Sequence, residues 1–271
     1  MKIAFTHNLQ TDDSCEQAEF DSPETVSAIT NAMENLGHQV ELIEVSGPIC
    51  PTIDALERIR PDLVFNTAEG SGGRFREALL PAILDRLGLP FTGSDAYVCT
   101  VTSDKNLTKL IAQMRGVPTL ASILAFSTAD LDQSELRLPV IVKPNFEGSS
   151  MGISQDSVAD SQEALRDVVE RALQQFPTGV LIEEFIDGRD IAVPFLEAAS
   201  PESGGVLHAV EYVIQRPEGD HRKYKIYDFE LKHSISGAVD VRVPAELNPL
   251  LADLIGKLSR TVYRCLGIRD L

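Results

Sequence analysis

The first hundred residues alternate between short apolar runs and amphipathic stretches. Lys2–Phe5 and Val40–Val45 read as strands, and Leu63-Val64-Phe65 as a buried strand that leaves Asn66 and Glu69 near its C-terminal end. Between them, Val26, Ile29, Met33 and Leu36 fall on one helical face, opened by Ser22-Pro23 and closed by Gly37. Ile53, Leu56 and Ile59 predict a short helix, and Phe75–Leu87 a longer one ended by Gly88. This alternation predicts an open parallel sheet covered by helices, with ligands bound beyond the carboxyl ends of the strands.

The pattern changes after Ser103. Asp104–Arg115 reads as a helix carrying Lys105 and Lys109, stopped by Gly116 and Pro118. Strands with longer loops follow at Val140–Lys143, Val180–Phe185, Ile191–Leu196, Val206–Ile214 and Tyr224–Leu231. An amphipathic helix, Ser161–Phe176 with Ser161 as its cap, separates the first two. A last helix, from about Ala245 to Leu266, puts Leu247, Leu251, Leu254, Leu258 and Val262 near one face. Boundaries near residues 101 and 190 divide the chain into 1–101, 102–189 and 190–271.

The chain has 271 residues, 43% hydrophobic and 24% charged, which is a globular balance with enough chain for two or three lobes. No apolar run reaches the roughly twenty residues that span a bilayer, and Met1–Phe5 opens a strand rather than a signal sequence. The expectation is a cytoplasmic protein. A net charge of −17 opposes a nucleic-acid partner but not ATP, which needs only a local basic pocket. Cys15, Cys50, Cys99 and Cys265 are scattered without zinc-ligand spacing and read as reduced thiols. His7, His38, His208, His221 and His233 form no ligand cluster.

The densest chemistry lies in Pro139–Ile153. A strand delivers Lys143 and Pro144, and a loop of small residues follows. Gly148 and Gly152 permit backbone shapes that bring N–H groups onto phosphate oxygens, Ser149 and Ser150 add hydroxyl donors, and Lys143 supplies a positive charge that an apolar strand does not otherwise explain. The competing account is a flexible hairpin with a solvated lysine. Lys105 and Lys109 likewise fit either a bound anion or the wet face of a helix. In Glu183-Glu184, strand alternation turns one side chain inward and the other outward. Glu69, Gly70 and Gly72-Gly73-Arg74 fit an ordinary loop or a nest for a substrate carboxylate.

The string Lys143-Pro144-x-x-Glu147-Gly148-Ser149-Ser150-x-Gly152 resembles the phosphate-covering loop of the D-alanine–D-alanine ligases, a family of ATP-grasp carboxylate–amine ligases. Other segments resemble that family in the same order. They are Val64–Gly70 with Phe91–Ser94, Asp104-Lys105 with Thr108-Lys109, Ile182–Asp190, and Tyr227-Asp228-Phe229-Glu230-x-Lys232. The resemblance covers the whole chain. It implies an α/β fold in which an N-terminal parallel-sheet domain precedes an ATP-grasp fold with an incomplete C-terminal lobe. It also implies an amide bond formed between two amino acids through an acyl phosphate, with a place in peptidoglycan biosynthesis, and a homodimer with no membrane partner.

By the same resemblance, Lys105 and Lys143 contact ATP, and Glu147, Gly148, Ser149, Ser150 and Gly152 line the phosphate loop. Glu183 and the backbone near Glu184 and Phe185 hold adenine, Asp190 accepts the ribose hydroxyls, and Lys232 approaches the γ-phosphate. Ser150 and Lys232 are the catalytic candidates; Glu69, Gly73 and His233 face substrate. The D-alanine enzymes often carry tyrosine where this chain has His233, so the amino acids joined stay open. The family's Mg²⁺ ligands lie on strands beyond the helix that here ends at Cys265–Ile268. The sequence then reads Arg269-Asp270-Leu271, and no metal residue is assigned. Three readings remain: a piece of a longer ligase, a nucleotide-binding module without chemistry, or one part of a split enzyme.

Overall fold

The computed structural model describes residues 1–133, 136–198, 203–216, 219–233 and 237–270. It divides into two compact units, Met1–Val101 with Ile268 onward, and Thr102–Gly267.

The first unit is built on a parallel sheet ordered β2-β1-β3, with β1 at Lys2–His7, β2 at Gln39–Glu44 and β3 at Leu63–Asn66. Helices α1 (Pro23–Asn35), α2 (Ile49–Ile59) and α3 (Arg76–Leu87) connect and cover it. Alternation along β1 sends Ile3 and Phe5 to one face, against Val26 and Met33 of α1, and Ala4 to the other, with Leu56, Leu80 and Leu84. Both faces are therefore buried, as a parallel sheet requires. Ser22 caps α1 by accepting from the Thr25 amide, with Pro23 at the first position, and Gly88 closes α3 in a left-handed turn. A helix α4 (Ala96–Ser103), which the pattern did not announce, follows.

The second unit holds two antiparallel sheets. After α5 (Lys105–Met114), one sheet is ordered β4-β7-β5-β6, from β4 (Ser122–Ala125), β5 (Val140–Pro144), β6 (Val158–Ala159) and β7 (Val180–Glu184). Helix α6 (Gln162–Gln175) lays Leu165, Val168 and Val169 against Val140, Val142, Val180 and Ile182 on one face. The other sheet is ordered β10-β9-β8, from β8 (Asp190–Ala192), β9 (Val210–Ile214) and β10 (Val239–Arg242).

Three expectations are corrected. The strand expected at Tyr224–Leu231 is an extended segment leading into a short helix, α7 (Phe229–His233). Asp228 makes the difference: its Oδ1 accepts the Leu231 amide at 3.1 Å and its carbonyl accepts that of Lys232, so it starts a helical turn. The strand expected over Ile191–Leu196 stops at Ala192, short of Pro194, which lacks a ladder donor. The last helix, α8, spans Pro249–Leu266 rather than starting at Ala245. Asn248 caps it, with Oδ1 accepting the Leu251 amide at 2.9 Å, and Pro249 takes the first position. Of its apolar stripe, Leu251 and Leu254 stay exposed.

Asn145, fully buried, ties α5 to the end of β5. Its Oδ1 accepts the Asn106 amide at 3.0 Å, its Nδ2 donates to Asp104 Oδ1 at 2.8 Å, and its carbonyl accepts the Lys105 amide at 3.2 Å. An Asn145→Leu change keeps the size but removes both side-chain hydrogen bonds, to the half-buried Asp104 and Asn106. It is expected to destabilise the second unit by about 1–3 kcal/mol, read as a lower urea midpoint at unchanged slope.

Candidate active site

The antiparallel register of β5 and β7 pairs Ile141 with Glu183 and Lys143 with Leu181. These four side chains share the face opposite α6, and Glu184 falls on the α6 face. Glu183 is buried. Lys143 Nζ lies 2.7 Å from its Oε2, and Lys109, reaching across from α5, binds its Oε1. Burial alone would push the Glu183 carboxyl up, but the two ammonium groups outweigh it and hold the carboxyl below the usual range. Two cations on one anion leave the trio net positive beside the glycine–serine loop. Lys105, one turn before Lys109, places its Nζ on the carbonyls of Glu147 and Asn145. Lys109 is thus part of the cluster; its i, i+4 spacing from Lys105 was the sequence signal.

The loop itself is wound in an uncommon way. Ser149 and Ser150 both have left-handed backbone, with φ of 44° and 59°, and Gly152 follows at 70°. Such conformers cost about 1–3 kcal/mol each in residues other than glycine and cluster at ligand clamps. Met151 N–H donates to Gly148 O at 2.9 Å and Ile153 N–H to Ser150 O at 3.0 Å, so two tight turns stack. Glycine is required at 152, because a Cβ would strike the Phe176 ring. Turns that expose successive amides in this way form anion-binding concavities.

Residues 224–233 lie against this loop. Ser150 Oγ donates to the Tyr227 carbonyl at 2.8 Å, and the His233 ring sits 3.4 Å from the Ser149 carbonyl. Lys232 Nζ stands 5.2 Å from the centre of the Tyr227 ring, which packs on Tyr212. On β8, Asp190 pairs with Tyr212. Burial raises the Asp190 carboxyl against the pull of Lys225, Lys143 and Lys232. Lys225, which acts on Asp190, is a cation that motif reading missed.

At the end of β7, Glu184 Oε1 accepts the Arg137 amide at 3.2 Å. The Glu184 and Phe185 amides donate to the carbonyls of Ala121 and Pro139. The Phe185 ring meets the edge of Tyr224 at 5.3 Å.

Glu69 and Gly73 belong to the first unit. Glu69 is largely buried, and desolvation first, then Glu77, Glu19 and Asp21, push its carboxyl up to about 8 against the pull of Arg76. Arg76 Nη2 is 2.8 Å from Glu19 Oε2 and 3.5 Å from Glu77 Oε1. The Gly70 amide donates to Asn8 Oδ1 at 2.8 Å. Gly70, Gly72 and Gly73 all have positive φ, and at Gly70 a Cβ would strike the Arg76 carbonyl. Among the described residues, no three His, Cys, Asp or Glu side chains gather as a metal site, and no helix is long and apolar enough to cross a membrane.

Comparison with known proteins gives one consistent result. The family model for the D-ala D-ala ligase C-terminus matches residues 125–271. The D-alanine–D-alanine ligase of Haemophilus ducreyi is 32% identical over 247 residues, which cover 90% of this chain and 73% of that protein. The crystal structure of D-alanine–D-alanine ligase from Bacillus anthracis superposes with a TM-score of 0.72 at 20% identity, covering 100% of this chain and 80% of that one. The same ligase complexed with ATP gives 0.69 at 18% identity, covering 100% and 79%.

Glu69 makes stability pH-dependent. Its folded pKa lies above the unfolded value of 4.5, so the folded state holds the extra proton. The contribution of Glu69 to stability is full below pH 4.5 and is lost as pH rises through about 8. Thermal unfolding of the Glu69→Gln variant between pH 5 and 9 is expected to lose that component of the slope.

Proposed function

Since the chain belongs to the D-alanine–D-alanine ligase family, we propose that it joins the carboxylate of one amino acid to the amine of another at the expense of ATP. The observation that carries this reading is the buried Glu183 carboxylate held by Lys143 and Lys109 beside the left-handed Ser149-Ser150 turn. That arrangement offers fixed positive charge and backbone amides to a triphosphate, which is what phosphoryl transfer asks of a protein.

The substrate carboxylate attacks the γ-phosphorus, forming an acyl phosphate and releasing ADP. The amine of the second amino acid then attacks the acyl carbon; a C–N bond forms, the C–O bond to phosphate breaks, and inorganic phosphate leaves. Lys143, Lys105 and the loop Glu147–Gly152 bind the phosphates, and Lys232 approaches the γ-phosphate. The Ser150 hydroxyl donates to the Tyr227 carbonyl, so Ser150 serves the phosphates through its backbone and by holding the loop rather than as a hydroxyl donor. Asp190 accepts the ribose hydroxyls. Because the Glu184 and Phe185 amides are engaged in the sheet, the donor for an adenine ring nitrogen falls to the next residue, Ile186. Residues 102–189 and 190–267 act as two lobes around the nucleotide. In the first unit, Glu69 and the Gly70–Gly73 turn receive a substrate amino acid. Mg²⁺ is implied by the resemblance, but no described residues form its site, and no step is assigned to it.

Lys143→Ala leaves Glu183 paired with Lys109, so the fold should persist while ATP affinity falls by roughly a hundredfold or more. Calorimetric titration with ATP checks this; unchanged affinity overturns the nucleotide reading. Phosphate release that depends on an added amino acid marks the ligase, and ATP binding without it marks a nucleotide-binding protein.

A further inference from the structure

We infer that Gln155 is a positioning residue that locks the phosphate loop and the segment 224–233 into a single flap. This rests on the nucleotide reading of the site. Gln155 follows the loop by three residues and lies outside the motif that identifies it. Its Oε1 accepts the Tyr224 amide at 2.9 Å, and its Nε2 donates to the Tyr224 carbonyl at 3.2 Å and to Asp228 Oδ2 at 3.4 Å. A carboxamide is a side chain with a donor and an acceptor on one rigid plane, so it closes on both polar groups of Tyr224 as a neighbouring strand would.

Three further bonds run in the same direction from the same loop. Ser150 Oγ donates to Tyr227 O, Phe229 N–H donates to Ile153 O at 3.2 Å, and the His233 ring approaches Ser149 O. Each bond binds a residue of 149–155 to one of 224–233, and Gln155 alone bonds both polar groups of one backbone residue. Below them, Ile226 packs with Ile141 and Val158 of the sheet. The left-handed backbone at Ser149 and Ser150 is unfavourable by itself and persists only where its surroundings hold it. Here the surroundings are the segment that Gln155 fastens. Releasing the fastening lets the turn relax and withdraws its amides from the phosphates, while the strand end proposed to hold adenine keeps its own sheet bonds from Glu184 to Ala121 and from Phe185 to Pro139.

The test compares the wild type with Gln155→Ala and Gln155→Glu. The glutamate keeps an acceptor for Tyr224 N–H but loses the donor and adds charge beside Asp228. Hydrogen–deuterium exchange on the ligand-free protein should speed up together in residues 148–157 and 222–233 for both variants. ATP affinity should fall about tenfold while adenosine affinity stays constant, a split that general destabilisation would not produce. Exchange rising in only one segment, unchanged ATP affinity, or equal loss of adenosine binding overturns the inference. Failure of the wild type to bind ATP overturns the nucleotide reading instead, and the ligand-free exchange still decides the coupling.

Discussion

One buried carboxylate holds the second unit's chemistry in place. Glu183 sits in the middle of a sheet where an isolated charge would be very costly, and two lysines from different elements make it tolerable. The dependence runs both ways. Lys143 and Lys109 would repel each other and seek solvent without the anion between them, and the strand would lose the feature that points its cation toward the loop. Because β5 and β7 are locked in register by Val140, Val142, Val180 and Ile182 on the opposite face, the ion cluster cannot slip.

The loop beside that cluster is strained where it is useful. Consecutive left-handed serines are held by turns within the loop and by hydrogen bonds to residues 224–233. Preorganisation of this kind lets amides meet an anion without reorganising at the moment of binding. The first unit shows a different economy of charge. There the Arg76 guanidinium stands among Glu19, Glu77 and Glu69, and burial together with the neighbouring acids pushes the Glu69 carboxyl up to about 8.

Much of the fold was legible from local signals. Ser22-Pro23, Ser161 and Gly88 are caps in the structure where the pattern puts helix ends, and Gly37 follows the first helix in a left-handed turn. The glycine–serine loop announced itself through small residues and one lysine. What escaped were elements whose partners lie far away in sequence. Strands β4 and β10 were not read from the sequence. The segment 224–233 carries strand-like residues, yet the Asp228 cap and its bonds to Gln155 turn it into a bend and a helix.

The sequence by itself determined the parallel α/β beginning, most of the strands that follow, and which lysines, serines and glycines are candidates for an anion, because periodicity and side-chain chemistry are local properties. The tertiary structure decided which lysines share Glu183, that Glu184 turns away from them, and that Lys225 and Gln155 join the site. Those outcomes depend on strand register and on contacts between residues as much as 84 positions apart. No short window of sequence encodes the distance between two side chains that meet only when separate elements pack.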